Sequence, residues 1–222
     1  MIERYTRPEM GKLWNDETRF QTWLEVELAV CEAWHALGVI DAASMSQIRH
    51  KAGFDLARIY EIEGQTRHDV IAFLTAVEEK VGPAARYIHL GCTSSDIVDT
   101  AGALLLTRAG VMITAGFERL LAVLKKLAFA HKGLLTIGRT HGIHAEPTSF
   151  GLKFAGFYAE FARHLARFKE AAEGIRVGKI SGAVGTYAML SPELEKTLSP
   201  ARPEMAITAC SLSSRRFSTS GA

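Results

Sequence analysis

No proline occurs between Pro83 and Pro147. Proline lacks a backbone donor and breaks helix interiors, so this long window is where the chain is free to build its longest helix. Thr93-Ser94-Ser95-Asp96 supplies a cluster of residues that cap helix N-termini, ahead of an apolar-periodic segment reaching about His131. Pro147 stands where a helix accepts a first-turn proline. From there Phe150, Phe154, Phe157, Phe161, Leu165 and Phe168 recur at spacings of three and four until Gly174. Two long apolar stripes predict an elongated helical bundle, and stripes of that length need partner helices to cover them.

The upstream sequence is also helical in period. Asn15-Asp16 can cap a helix whose apolar face is Phe20, Trp23, Leu24, Leu28, Cys31, Trp34 and Leu37, with Gly38 ending it. Shorter helical patterns follow from Asp41 to Gly53, around Asp55 to Glu63, and from about Arg67 to Val81, the last closed by Gly82-Pro83. No run alternates with period two, so the fold class read from the chain is all-α. The organisation expected is a small helical domain over 1–92 and the first long helices of a bundle over 93–198. Residues 199–222 carry six serines and two prolines without apolar period, the composition of a disordered tail.

Charge and cysteine content exclude several functions. From Ser199 onward Arg202, Arg215 and Arg216 face Glu204 alone, which accounts for the whole formal excess of +2. Residues 1–198 are left with 23 basic and 23 acidic residues, and neither a nucleic-acid face nor a polybasic membrane patch is present. Cys31, Cys92 and Cys210 are an odd, widely spaced set with no CxxC pair, which suits reduced thiols in the cytoplasm. MIERYTRPEM has no apolar secretion core, and the apolar stretch Ala109 to Phe117 is shorter than a membrane span.

Four polar constellations could carry chemistry. Thr140-His141-Gly142 puts a histidine in a glycine-bounded loop, where it could move protons at neutral pH; a cap or loop hydrogen bond would account for His141 and His144 equally. Neither an HExxH helix nor a Cys/His quartet accompanies them. Arg67-His68-Asp69 could hold an anion or simply begin a helix with a favourable carboxylate. Thr93 to Asp96 could bind a carboxylate or phosphate on free N–H groups, or only cap. The glycines of Gly178 to Thr186 match neither a P-loop nor a dinucleotide fingerprint and read as a tight turn between bundle elements.

In combination these strings are more specific. ERYTRPEM at 3–10, TRHDVIAF at 66–73, GCTSSDIVDT at 91–100, GRTHGIHAEPTSFGLK at 138–153 and KISGAVGTYA at 179–188 closely resemble the adenylosuccinate lyase family of the fumarase/aspartase superfamily, over residues 1 to about 198. The resemblance implies elimination of fumarate from succinylated purine nucleotides, with a small-molecule nucleotide as substrate and no cofactor. It implies His141 as general acid and His68 as the group that orients or polarises the substrate. Thr93 and Ser94 would bind a succinyl carboxylate. Arg4 and Tyr5 would hold the nucleotide end, helped by Arg67 and Asp69, with His89 a further substrate contact and His144 structural. The family's homotetramers, with sites shared between subunits, imply a homo-oligomer. The family's serine-bearing loop, G-S-S-x-M-P-x-K-x-N-P, does not occur in these residues, and SLSSRRFSTSGA does not match the expected TQ…QRDRH segment. The sequence-level expectation is a truncation or frame slip near Leu198 that leaves out the base side of the site.

Overall fold

A computed structural model describes residues 2–201 and 206–207. Among these, eight α-helices account for most of the chain: α1 (Pro8–Leu13), α2 (Asp16–Ala36), α3 (Ala42–Lys51), α4 (Leu56–Thr66), α5 (Asp69–Val81), α6 (Ser94–Ala130), α7 (Phe150–Gly174) and α8 (Pro192–Ala201). An antiparallel ribbon of β1 (Leu135–Thr140) and β2 (Ile143–Ser149) separates α6 from α7, and two-residue strands β3 (Val177–Gly178) and β4 (Ala206–Ile207) pair in parallel. Apart from the end of α8 and β4, the tail expected to be disordered lies outside the described residues. The chain forms two compact units, one of residues 1–106 with 176–222 and one of residues 107–175, and the boundary falls inside α6.

In the first unit the capping signals act as the sequence indicates. Asn15 accepts the Thr18 N–H at 2.8 Å, Asp41 that of Ser44 at 2.9 Å and Asp55 that of Ala57 at 2.9 Å, satisfying donors that a helix cannot pair internally. Gly38 and Gly82 follow α2 and α5 with φ of 78° and 77°. The core centres on α2, where Phe20 and Trp23 meet Phe73 of α5 at ring separations of 5.8 and 5.6 Å. The apolar stripe of α2 shows only part of its burial: Val26, Ala29, Val30 and Ala33 are buried as well, whereas Leu37 is exposed. Leu190, Leu194 and Leu198 join this core from the far end of the chain.

The second unit is built differently. Phe117 of α6 lies 6.1 Å from Phe161 and 5.9 Å from Phe168 of α7, and His131 packs beside Phe150 and Phe154. Close approach of the helices requires Gly151, since a Cβ there would collide with the Ala128 carbonyl and sit 2.8 Å from the Lys132 Cα. Beyond these contacts large apolar side chains lie open, among them Val111, Phe129, Leu135 and Leu152. One 18-residue window of α6 has mean hydropathy 1.4 with 39% of it buried, so length and composition alone would let this helix cross a bilayer.

Two expectations are corrected here. Pro147 does not open a helix; it pairs with Ile137 inside β2, and α7 begins at Phe150. The segment around His141 is not a loop leading into a helix but the turn of a hairpin. Both faces of this ribbon are largely exposed, so no alternation of apolar and polar residues marked it in the sequence.

Candidate active site

The hairpin holds His141 at its tip. Thr140 pairs with Ile143, leaving His141 and Gly142 as the two turn residues, with φ of 51° and 76°. Positive φ at both positions is the type I′ geometry whose twist matches that of a β-ribbon. Further down, Ala145 and Glu146 lie opposite Gly138 in a bulge, and a Cβ on Gly138 would stand 2.7 Å from the Glu146 carbonyl. The glycines bounding the histidines therefore shape a ribbon that presents the His141 imidazole to solvent.

His68 is the N-cap of α5. Its Nδ1 accepts the Ile71 N–H at 3.4 Å and lies 3.6 Å from the Asp69 carboxylate. A ring nitrogen that accepts a backbone N–H carries no proton, so neutral His68 has its proton on Nε2 and presents a donor outward. Arg67 ends α4 in the left-handed region with φ of 53°. The trio caps a helix, as one reading of the sequence has it, and leaves Arg67 and His68 exposed.

Thr93 and Ser94 begin α6. The Thr93 N–H donates to Asp96 Oδ2 at 2.9 Å and the Asp96 N–H to the Thr93 carbonyl at 2.9 Å. The N–H groups of Ser94 and Ser95 belong to a first turn that has no acceptor within the helix, a setting that suits an anion. His89 precedes them with φ of 64° and is held by Glu27 of α2. Arg4 and Tyr5 form an exposed pair, the guanidinium 4.8 Å from the ring centroid. Among the described residues no hydrogen bond joins Arg4 and Tyr5, the trio at 67–69 and the 89–94 turn to one another. His141 belongs to the second unit and all the other candidates to the first.

Backbone strain marks three of the candidate residues. Among the described residues, four non-glycine residues have positive φ: Arg67, His89, His141 and Tyr187. Each such residue costs about 1–2 kcal/mol, and such strain concentrates where a side chain must be aimed. Three of the four are candidates named from the sequence.

A family model described as Lyase matches residues 3–210. The chain belongs to this lyase family. It is 53% identical over 196 residues to the adenylosuccinate lyase of Bacillus subtilis (strain 168), covering 88% of this chain and 46% of that protein. With the adenylosuccinate lyase of Synechocystis sp. it shares 54% over 195 residues, again 88% of this chain and 45% of the relative. The chain thus spans a little under half the length of these relatives. Among solved structures, the fumarate lyase from Mesorhizobium sp. BNC1 superposes with a TM-score of 0.84 at 27% identity, covering 92% of this chain and 50% of that one. The 3-carboxy-cis,cis-muconate lactonizing enzyme from Pseudomonas putida gives 0.83 at 27% identity, with 92% and 48% covered. The all-α reading is that of an incomplete lyase fold.

Buried acids of this lyase chain do more than the sequence reading, which took Asp96 only as part of a helix-start cluster, assigns to them. Asp96 is fully buried and accepts from Lys179 Nζ at 2.6 Å, from the Ser181 N–H at 3.1 Å and from the Gly182 N–H at 3.1 Å, besides Thr93. Thr100 adds a reciprocal pair with the Lys179 backbone, donating at 3.0 Å and accepting at 3.1 Å. The glycine-rich stretch does form a turn, with the Gly185 N–H on the Gly182 carbonyl, but it is docked against the start of α6. Glu195, also fully buried, accepts the Ile180 N–H at 2.7 Å and the Tyr187 hydroxyl at 2.6 Å. A buried carboxylate is tolerated only when donors surround it, and each of these is so surrounded. A sequence signal was available for Glu27, whose helix neighbours Trp23, Leu24, Val30 and Cys31 are all apolar.

Proposed function

We propose that this chain carries part of an adenylosuccinate lyase, which eliminates fumarate from adenylosuccinate to give AMP and from the succinylated aminoimidazole carboxamide ribotide. The observation that carries the reading is the identity of about half the residues with adenylosuccinate lyases along 88% of this chain. Residues 1–92 are the N-terminal helical domain of that enzyme and 93–198 the opening of its central bundle. It works in the cytoplasm as a homo-oligomer, a tetramer as in its family, and α6 is a bundle helix rather than a membrane span.

The reaction removes a weakly acidic proton beside a carboxylate, stabilises the charge that builds there and protonates the departing nitrogen. At the start of α6 the Thr93 and Ser94 hydroxyls and the first-turn N–H groups of Ser94 and Ser95 hold a succinyl carboxylate, aimed before the reaction begins, which lowers the cost of the developing charge. His68 donates from Nε2 to orient the substrate. His141 gives its proton to the leaving nitrogen, a role worth about 10²–10⁴-fold in rate. Arg4, Tyr5 and Arg67 hold the nucleotide end with Asp69 fixing the geometry, and His89 adds a contact. The catalytic base and its serine loop come from outside these residues.

The test is an absorbance assay of the purified chain with adenylosuccinate, alone and mixed with a full-length lyase whose acid histidine is removed. Silence alone and turnover in the mixture supports a shared site in which this chain supplies the acid, and His141→Ala in this chain should abolish the rescue. Turnover by the chain alone would overturn the placement of the base. A second reading, a helical protein that only associates with intact subunits, is favoured by the open apolar side chains of the second unit. Co-purification with intact lyase and no rescue in the mixture would select it.

A further inference from the structure

We infer that Glu27 is a positioning residue for His89, fixing which ring nitrogen His89 presents to a ligand. This rests on the reading of His89 as a substrate contact. Glu27 lies in the middle of α2, fully buried, and both its oxygens are engaged by one residue 62 positions away. Oε2 accepts the His89 backbone N–H at 2.9 Å and Oε1 lies 2.6 Å from His89 Nδ1. A carboxylate only accepts, so the Nδ1 proton must lie between them. That leaves Nε2 as the outward atom of a ring that is 19% exposed, and no described residue is bonded to it.

The arrangement is opposite to that of His68. There Nδ1 accepts a backbone N–H and the free Nε2 is a donor. At His89 the neutral ring offers an acceptor, suited to a hydroxyl or N–H of the ligand. The two histidines thus present complementary hydrogen-bonding atoms, each fixed by what its own Nδ1 meets. The backbone contact has a second consequence. His89 has φ of 64°, and the Glu27 oxygen on its N–H holds that turn in place, so one carboxylate sets both where the ring stands and which way it faces. The other titratable groups facing Glu27 are the thiols of Cys31 and Cys92. Each is pushed up by burial first and by the Glu27 charge next, so neither competes as a charged partner.

The experiment is nitrogen NMR of the full chain labelled at histidine, with the His89 signals identified by their loss in His89→Gln. Nδ1 of His89 should be protonated at every pH from about 6 to 9, whether the ring is neutral or charged. An unprotonated Nδ1 in the unsubstituted chain overturns the inference. Glu27→Gln should shift population toward the Nε2–H form, because an amide can donate to Nδ1, whereas Glu27→Asp should restore Nδ1–H. An unchanged tautomer in Glu27→Gln, with circular dichroism showing the helices intact, also overturns it. If Glu27→Gln does not fold, the tautomer of the unsubstituted chain decides alone. These readouts involve no turnover, so absence of rescue in the mixed elimination assay beside a protonated Nδ1 would count against the lyase reading and leave the Glu27 assignment standing.

Discussion

The two units of this chain bury apolar side chains to different degrees. In the first, Phe20, Val30, Met45, Ile59, Phe73, Val77 and Ile97 are all sealed from solvent, drawn from five helices around one centre. In the second, only Ala109, Gly110, Leu124, Gly151 and Leu165 are buried, while Leu135 is 78% exposed and Phe129 67%. Periodicity was present in both sequences, and the stripe from Phe150 to Phe168 is the more regular of the two. Regular spacing tells which residues share a helix face; it says nothing about whether a partner for that face lies within the same unit. An open apolar face on two long helices is what a larger bundle leaves behind when its other helices are missing.

The comparison can be broken experimentally. Phe73→Ala should have the largest effect, removing about 3–5 kcal/mol from the first unit and shifting its urea midpoint, because the ring is fully buried among three other aromatics. The same substitution at Phe157, which is 42% exposed, should change little; equal losses at both positions would mean the second unit has a core of its own. Gly151→Ala comes next. Its Cβ would meet backbone, which cannot swing aside, so α6 and α7 must part. Amide hydrogen exchange should then accelerate through 107–175 and stay unchanged in α2; acceleration in both units would show that they unfold together.

Sequence legibility followed the physical source of each signal. Caps, terminating glycines and apolar period are local, and Asn15, Asp41, Gly82 and the α2 stripe could be read directly. The ribbon could not, because neither of its faces is buried and Pro147 imitates a helix start. The candidate site was legible as residue types: His68, Thr93, Ser94 and His141 stand in short strings of recognisable order. Their supports were not. Glu27 reaches His89 across 62 positions and Asp96 reaches Gly182 across 86, and no spacing rule connects residues so far apart.

The smallest expected effect concerns acid. The Asp41 carboxyl is held below its usual range first by the Ser44 N–H and then by the Ser44 hydroxyl, and Glu79 is held down by the Arg58 guanidinium. Both belong to the first unit. Groups with depressed folded values contribute stability that is present above the ordinary carboxylate range and is lost as pH falls through the folded values. The urea midpoint of the first unit should therefore drop below about pH 4, and Asp41→Asn should flatten that drop. An acid-insensitive midpoint would mean these exposed pairs add nothing.

The attachment of residues 176–198 to the first unit has a consequence during synthesis. Leu194 and Leu198 complete a core begun at Phe20, and Asp96 waits for Lys179 and Gly182. A ribosome delivering the chain from its N-terminus must therefore finish the entire second unit before the first can close. Through that interval α2 lacks the leucines of α8, and Asp96 lacks most of its donors. Closure of the first unit therefore waits on the arrival of Lys179 and Leu198 and on a loop running back to α6, not on any single helix.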